Sequence, residues 1–216
     1  MQRAVIIGST GGIGSALMRA LGDRAIGLSR QGGFDLRNEA SIATALGAID
    51  PGIDLLIVAT GGLELSAPPE KTLRALDPAH MAEQFAINAI GPALVLKHAL
   101  RLLPRDRVAR LAVLSARVGS IGDNRAGGWY GYRAAKAALN QYLRSAAIEA
   151  KRSHPHSVLV ALHPGTVATA LTAKYAGTHP TVPPDTAAAN LLAVLGGLGP
   201  DDSGGFFDWQ GKPIPW

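Results

Sequence analysis

Short apolar runs alternate along the chain with stretches whose apolar residues recur at helical spacing. Ala4-Val5-Ile6-Ile7, Ala25-Ile26-Gly27-Leu28 and Asp54-Leu55-Leu56-Ile57-Val58-Ala59 read as the first three strands. They lack the period-two alternation of a half-solvated strand, so both faces of their sheet should be covered. Helices are predicted at about Ser15–Leu21 and Ser41–Ile49. Asp77-Pro78 then opens a long helix, with a capping carboxylate and a proline at the first helical position. Met81, Phe85, Asn88, Pro92 and Leu96 fall on one stripe of it. Further strands are expected at Val108–Leu114, Ser157–Leu162 and Phe206-Phe207, and further helices at Tyr132–Ala150 and Thr186–Leu195. This order, without linker or repeat, predicts one α/β domain over residues 1–216. Its fold class is a Rossmann-type doubly wound parallel sheet with helices on both faces.

Composition narrows the classes. At 47% hydrophobic and 17% charged residues the chain can bury a large core and is not disordered. The absence of cysteine excludes disulfides, thiolate metal sites and a cysteine nucleophile. No apolar run approaches the roughly 18 residues of a membrane helix. Met1-Gln2-Arg3 leads straight into the first strand, unlike a signal peptide. A cytoplasmic location and no membrane partner are expected. The net charge of +5 raises nucleic-acid binding as a possibility. Yet the one dense basic group, Arg101, Arg105, Arg107 and Arg110, has no interleaved aromatic rings for base stacking. Cations beside a helix C-terminus are the simpler reading, and no nucleic-acid partner is expected. His154, His156 and His163 lack a third ligand at suitable spacing, so no metal is expected.

Chemistry enters at Gly8-Ser9-Thr10-Gly11-Gly12-Ile13-Gly14, between the first strand and the first helix. A turn there must be tight, bring backbone close to a pyrophosphate and present free N–H groups at a helix start, and Gly8, Gly12 and Gly14 permit all three. The second strand ends in Ser29-Arg30, where a carboxylate would suit the ribose hydroxyl of NAD(H). A hydroxyl followed by a guanidinium suits a 2′-phosphate instead. NADP(H) is therefore the expected cofactor and NAD(H) the second; an exposed loop arginine is the reading without function.

Tyr132 and Lys136 are four apart on a predicted helix and share a face with Leu139 and Leu143. An ammonium beside a phenol favours the phenolate and brings tyrosine toward a useful acid/base range. Spacing alone favours a packed tyrosine and a snorkelling lysine over a catalytic pair. Tyr130 has Ala134 at the same offset, and so no cation.

Together, the glycine segment and Tyr132-Arg133-Ala134-Ala135-Lys136 resemble the short-chain dehydrogenase/reductase family. The likeness extends to Asp35, Asn88 and Pro164-Gly165-Thr166-Val167-Ala168-Thr169. Gly119-Ser120-Ile121, Gly127-Gly128-Trp129-Tyr130 and Gly204-Gly205-Phe206-Phe207-Asp208-Trp209 are similar to its C-factor and sniffer-type carbonyl reductase branch. The resemblance implies that Tyr132 exchanges a proton with the substrate oxygen, while Lys136 holds the nicotinamide ribose and lowers the Tyr132 pKa. It implies a water anchored by Asn88, and adenine contacts at Asp35 and Leu36. It places Ser9, Thr10, Ile13, Pro164, Gly165, Val167 and Thr169 around the cofactor, with a substrate loop at Thr169–Pro184 carrying Tyr175. A small carbonyl or alcohol substrate is implied, as is a homodimer or homotetramer through the helices Asp77–Arg101 and Tyr132–Ala150.

Three departures stand out. The family's Asn-Asn-Ala-Gly is here Val58-Ala59-Thr60-Gly61, which keeps small residues at Ala59, Thr60 and Gly61 beside the cofactor but loses the amides. Only Gln31-Gly32-Gly33-Phe34 stands where the family often has a helix. Counting back from Gly119, the serine that binds the substrate oxygen is Ala116, with a hydroxyl one residue earlier at Ser115. Ser115 is the expected catalytic serine if the strand end bends, and Ser120 the spare. The leading function is an NADP(H)-dependent carbonyl–alcohol oxidoreductase. The alternative is a dinucleotide-binding sensor or signalling protein of C-factor type with little turnover.

Overall fold

The computed structural model describes residues 3–175 and 180–216. Met1-Gln2, and residues 176–179 of the expected substrate loop, lie outside the described residues. In chain order the main elements are β1 (Ala4–Ile7), α1 (Gly12–Leu21), β2 (Ala25–Leu28), α2 (Glu39–Gly47), β3 (Leu55–Val58), α3 (Pro78–Phe85), α4 (Gly91–Ala99), β4 (Ala109–Leu114), α5 (Tyr130–Ala150), β5 (Ser157–His163), α6 (Pro184–Gly197) and β6 (Phe206–Asp208). The strands form one six-stranded sheet in the order β2-β1-β3-β4-β5-β6. All pairings are parallel. The chain reverses direction across the sheet beside β1, and a crevice opens there at the carboxyl ends of β1 and β3.

Why the strands are apolar throughout follows from what covers them. Alternate side chains point to opposite faces. Val5, Ile7, Leu56, Val58, Leu111 and Val113 pack with residues of α2, α4 and α5 on one side. Ala4, Ile6, Leu55, Ile57, Ala112 and Leu114 pack with residues of α1 and α6 on the other. Each fully buried aliphatic side chain contributes about 1.5–3 kcal/mol. The edge strand β2 is the exception: after it the chain makes only a 3-10 turn, Arg30–Gly32, and Ile26 stays 40% exposed.

The long helix differs from its expected stripe. Between α3 and α4 runs a π-helical turn, Ala86–Ile90, whose wider spacing shifts the phase of the buried face. His80, Gln84, Asn88 and Ala89 are the buried residues of α3 and the π turn, while Met81 and Phe85 are only half-buried. Pro92 and Leu96 are buried as expected. Asp77 caps α3 through the His80 N–H at 2.8 Å.

Three members of the basic group serve helix ends and carboxylates. Arg101 donates to the Leu46 and Ile49 carbonyls around the end of α2, and Arg110 to the Gly196 and Leu198 carbonyls at the end of α6. Arg107 pairs with Asp54 at 3.0 Å. Arg101 and Arg110 thus stand as cations at the negative ends of helix dipoles.

Candidate active site

At the carboxyl end of β1 the chain turns through Gly8, whose φ of 84° lies in the left-handed region. A Cβ at Gly8 would sit 2.7 Å from the Ala59 carbonyl oxygen, and one at Gly14 would overlap the Gly8 carbonyl. The turn therefore requires glycine, and it leads into α1 with no side chain capping the first N–H groups. Uncapped N–H groups beside an open cleft are what a pyrophosphate would engage.

That cleft measures about 440 Å³ and is lined by Gly8, Thr10, Gly11, Ser29, Arg30, Asp35, Leu36, Ala59, Thr60 and Gly61, among others. The buried Thr60 hydroxyl has no partner among the described residues, so a polar donor or acceptor in the cleft stands ready for a ligand. Arg30 makes no ion pair among the described residues and borders the same cleft. The residues present fit a dinucleotide. Sequence reasoning missed Arg37, which also lines the cleft. Its guanidinium grips Asp35 at 3.1 and 3.2 Å and holds that carboxyl below the usual carboxylate range. The Asp35 carboxylate is thus engaged by its neighbour.

Other expected cofactor positions sit around the cleft in varied ways. Gly12 packs against Thr169, because a Cβ there would strike the Thr169 methyl. Ile13 packs on the α1-side core, and the Ser9 side chain fills the space a Cβ at Gly27 would need. Pro164 and Gly165 are half-buried, and Gly165 abuts Trp209. Val167 is buried and bridges to Val182, while the Thr169 N–H donates to the Thr172 hydroxyl at 3.2 Å.

Tyr132 and Lys136 stand one turn apart on the buried face of α5, 8% and 2% exposed. The ammonium lies 5.9 Å from the phenol ring centroid and donates to the Leu114 carbonyl at 2.9 Å. Two glycines admit the lysine: a Cβ at Gly61 would lie 3.4 Å from its Nζ, and one at Gly119 2.8 Å from its Cβ. The snorkelling alternative is excluded, because this lysine points inward. Burial alone pushes the Tyr132 phenol up to about 12, and burial pushes Lys136 down to about 8. The expectation that the lysine depresses the tyrosine pKa is therefore corrected: burial raises it.

The first turn of α5 has an unusual backbone. Gly127, Gly128 and Trp129 all have positive φ, and Trp129, at φ 52° and ψ 44°, is the only such non-glycine among the described residues. Left-handed backbone costs a bulky residue roughly 1–2 kcal/mol. Arg133 holds the run by donating to the Gly127 and Gly128 carbonyls at 3.1 and 2.9 Å. The Trp129 ring then lies edge-on to Tyr132 and to Tyr175, with centroids 6.4 and 5.7 Å apart. Tyr175 in turn donates to Glu64 at 2.8 Å, and Lys174 pairs with the same carboxylate at 2.9 Å.

Ser115 is a correction. Its hydroxyl donates to Asn140 Oδ1 at 2.6 Å, and the residue is 3% exposed. One residue of displacement along an extended chain reverses side-chain direction, and no bulge restores it. Ala116 is half-exposed at the position facing the other way. Ser120 is engaged as well, donating to the Pro215 carbonyl at 2.5 Å. Asn88 braces backbone: its amide donates to the Gly62 carbonyl at 2.8 Å and accepts from the Gly62 N–H at 3.0 Å. Its second donation is to Gln84, which sequence reasoning missed, at 2.8 Å. His163, at the end of β5, has its pKa lowered to about 4 by burial and then by Arg117, against the opposing pull of Asp208.

A glycine turn on a crevice, a buried Tyr–Lys pair one helical turn apart and an all-parallel sheet in this order define an oxidoreductase class. The chain belongs to the short-chain dehydrogenases, whose family profile matches residues 31–179. Among curated proteins it is similar to C-signal of Myxococcus xanthus, 40% identical over 142 residues, 65% of this chain and 81% of that one. It is also similar to 1-hydroxy-2-glutathionyl-2-methyl-3-butene dehydrogenase of Rhodococcus sp. (strain AD45), 30% identical over 233 residues and spanning both chains in full. Among solved structures, the carbonyl reductase Sniffer of D. melanogaster superposes with TM-score 0.84 at 23% identity, covering 100% of both chains. The NADPH-bound carbonyl reductase from chicken fatty liver superposes with TM-score 0.78 at 23% identity, over 100% of this chain and 96% of that one. At these identities the structural likeness speaks for the fold. No helix among the described residues is long and apolar enough to cross a membrane.

Proposed function

We propose that the chain, acting as one unit over residues 1–216, is an NADP(H)-dependent oxidoreductase interconverting a carbonyl and an alcohol, with Tyr132 as general acid/base. The observation that carries this reading is the burial of Tyr132 and Lys136 one helical turn apart, with the Lys136 ammonium beside Gly61, a residue that lines the cleft. The hydride for the carbonyl carbon would be supplied by a reduced nicotinamide when one is bound. Tyr132 gives its hydroxyl proton to the carbonyl oxygen, and the reverse transfer serves oxidation. With its pKa at about 12 the phenol is protonated at neutral pH, the state a proton donor needs in reduction. Lys136, with its pKa at about 8, remains mostly an ammonium at pH 7 and stabilises the phenolate left after transfer. Asn88 keeps the Gly61-Gly62 backbone in place. Gly8, Thr10, Gly12 and the start of α1 hold the pyrophosphate, and Ser29 with Arg30 holds the 2′-phosphate.

Two further points belong to this reading. Tyr142 and Ile148 on α5 are exposed apolar side chains, and Tyr142 borders a groove against α4, which supports association as a homodimer or homotetramer through these helices. The likeness to C-signal and the withdrawal of Ser115 favour the second reading, a dinucleotide-binding signalling protein with little turnover. A panel of aldehydes and ketones assayed with NADPH and NADH separates the two. Carbonyl-dependent oxidation of NADPH supports the enzyme, and tight cofactor binding without turnover supports the sensor.

A further inference from the structure

The helix carrying Tyr132 starts without a cap of its own. Trp129 stands at the N-cap position of α5 and brings no side-chain oxygen to the first turn. The missing acceptor arrives from 61 positions away along the chain: Glu70 Oε2 accepts from the Gly131 N–H at 3.1 Å. That N–H belongs to the second residue of the helix, the one a local cap would satisfy. The Glu70 carbonyl accepts from the Trp129 N–H at 2.5 Å, so the same residue also holds the left-handed backbone. Glu70 is 4% exposed, forms no ion pair among the described residues, and its Oε1 has no hydrogen-bond partner. A buried carboxylate without a cation is costly unless N–H groups and a helix dipole stabilise it. The fit is close, because a Cβ at Gly131 would lie 2.8 Å from Oε1.

We propose that Glu70 is a positioning residue for the Tyr132 site, gripping Trp129 and Gly131 so that the first turn of α5 holds the Trp129 ring between Tyr132 and Tyr175. The proposal rests on the oxidoreductase reading for its effect on turnover, though the ring placement can be measured without it. Glu70 lies apart from the residues lining the cofactor cleft, so its loss acts on the reacting end alone.

The test uses the full chain with Trp209→Phe and Trp216→Phe, which leaves Trp129 as the single tryptophan. Glu70→Ala should lower kcat about tenfold or more, since small misplacements of a reacting group are amplified in rate. NADPH affinity should stay within about threefold, and the near-UV circular dichroism of Trp129 should weaken. Glu70→Gln, which keeps an acceptor for the Gly131 N–H, should recover most of the kcat and of the signal. Unchanged kcat and unchanged Trp129 signal in folded Glu70→Ala would overturn the proposal. So would equal, parallel losses of kcat, cofactor affinity and melting temperature in both variants, which describe a structural residue only. If Glu70→Ala does not fold, Gly131→Ala replaces it: the methyl presses on Oε1 while raising helix propensity. Retained kcat and signal in that variant would overturn the proposal. Should the parent protein turn over no carbonyl compound, the oxidoreductase reading fails and the Trp129 signal alone decides the role of Glu70.

Discussion

The Lys136 ammonium donates to the carbonyl oxygen of Leu114, the last residue of β4, at 2.9 Å. This bond draws a cation into the interior between Gly61 and Gly119, beside a phenol that burial alone pushes up. The lysine is destabilised as a charged group and the tyrosine as a phenolate, so each is pushed toward its neutral form.

Substitution of Lys136 should therefore separate stability from activity. The folded state holds this lysine at about 8 against an ordinary 10.5, so folding disfavours the ammonium. Its penalty is fully present below pH 8 and fades as pH rises toward 10.5, so stability should climb across that window. Tyr132, raised from 10.0 to about 12, acts in the opposite sense: its contribution is present below pH 10 and lost above it. Lys136→Met should raise the melting temperature at pH 7 by several degrees, corresponding to about 1–3 kcal/mol. It should also abolish the rise in stability above pH 8 and most of the turnover. Thermal melts from pH 7 to 10 check this; a lower melting temperature at every pH would refute it.

Tyr132→Phe removes a hydroxyl that makes no hydrogen bond among the described residues. Carbonyl-dependent NADPH oxidation should fall by about 10²–10⁴-fold. Cofactor affinity, measured by fluorescence titration, should change little. Retained turnover would end the case for Tyr132 as the proton donor.

Ser115 and Ala116 should behave oppositely. Ser115→Ala strands the buried Asn140 carbonyl and should cost about 1–3 kcal/mol of stability. Its turnover should stay near that of the parent. Ala116→Ser places a hydroxyl on the side facing away from Asn140 and should raise kcat/KM by about tenfold, an added donor to the substrate oxygen. Denaturant melts and steady-state kinetics on the pair test both halves.

Arg30→Asp should weaken NADPH by about 10–100-fold, the loss of a charge-assisted hydrogen bond to phosphate, while NADH affinity holds or improves. Equal losses for the two cofactors would show that Arg30 does not meet the 2′-phosphate. Arg37, held by Asp35, should contribute less than Arg30.

Much of the site's outline could be read along the chain. Apolar runs without alternation announced a sheet covered on both faces, and the glycine turn, Ser29-Arg30 and the Tyr132–Lys136 spacing placed the cleft at its carboxyl edge. These are local features: strand burial, turn stereochemistry and the pitch of a helix act over a few residues, so sequence alone determined them. The direction of Ser115, the phase shift at the π turn, the inward course of Lys136 and the remote cap from Glu70 were decided only by the tertiary structure. Each depends on which distant groups meet in a dry interior, where a carbonyl from another strand or a carboxylate 61 residues away sets orientation and proton affinity. Spacing carries no information about such partners, because desolvation and long-range hydrogen bonding exist only once the chain has packed.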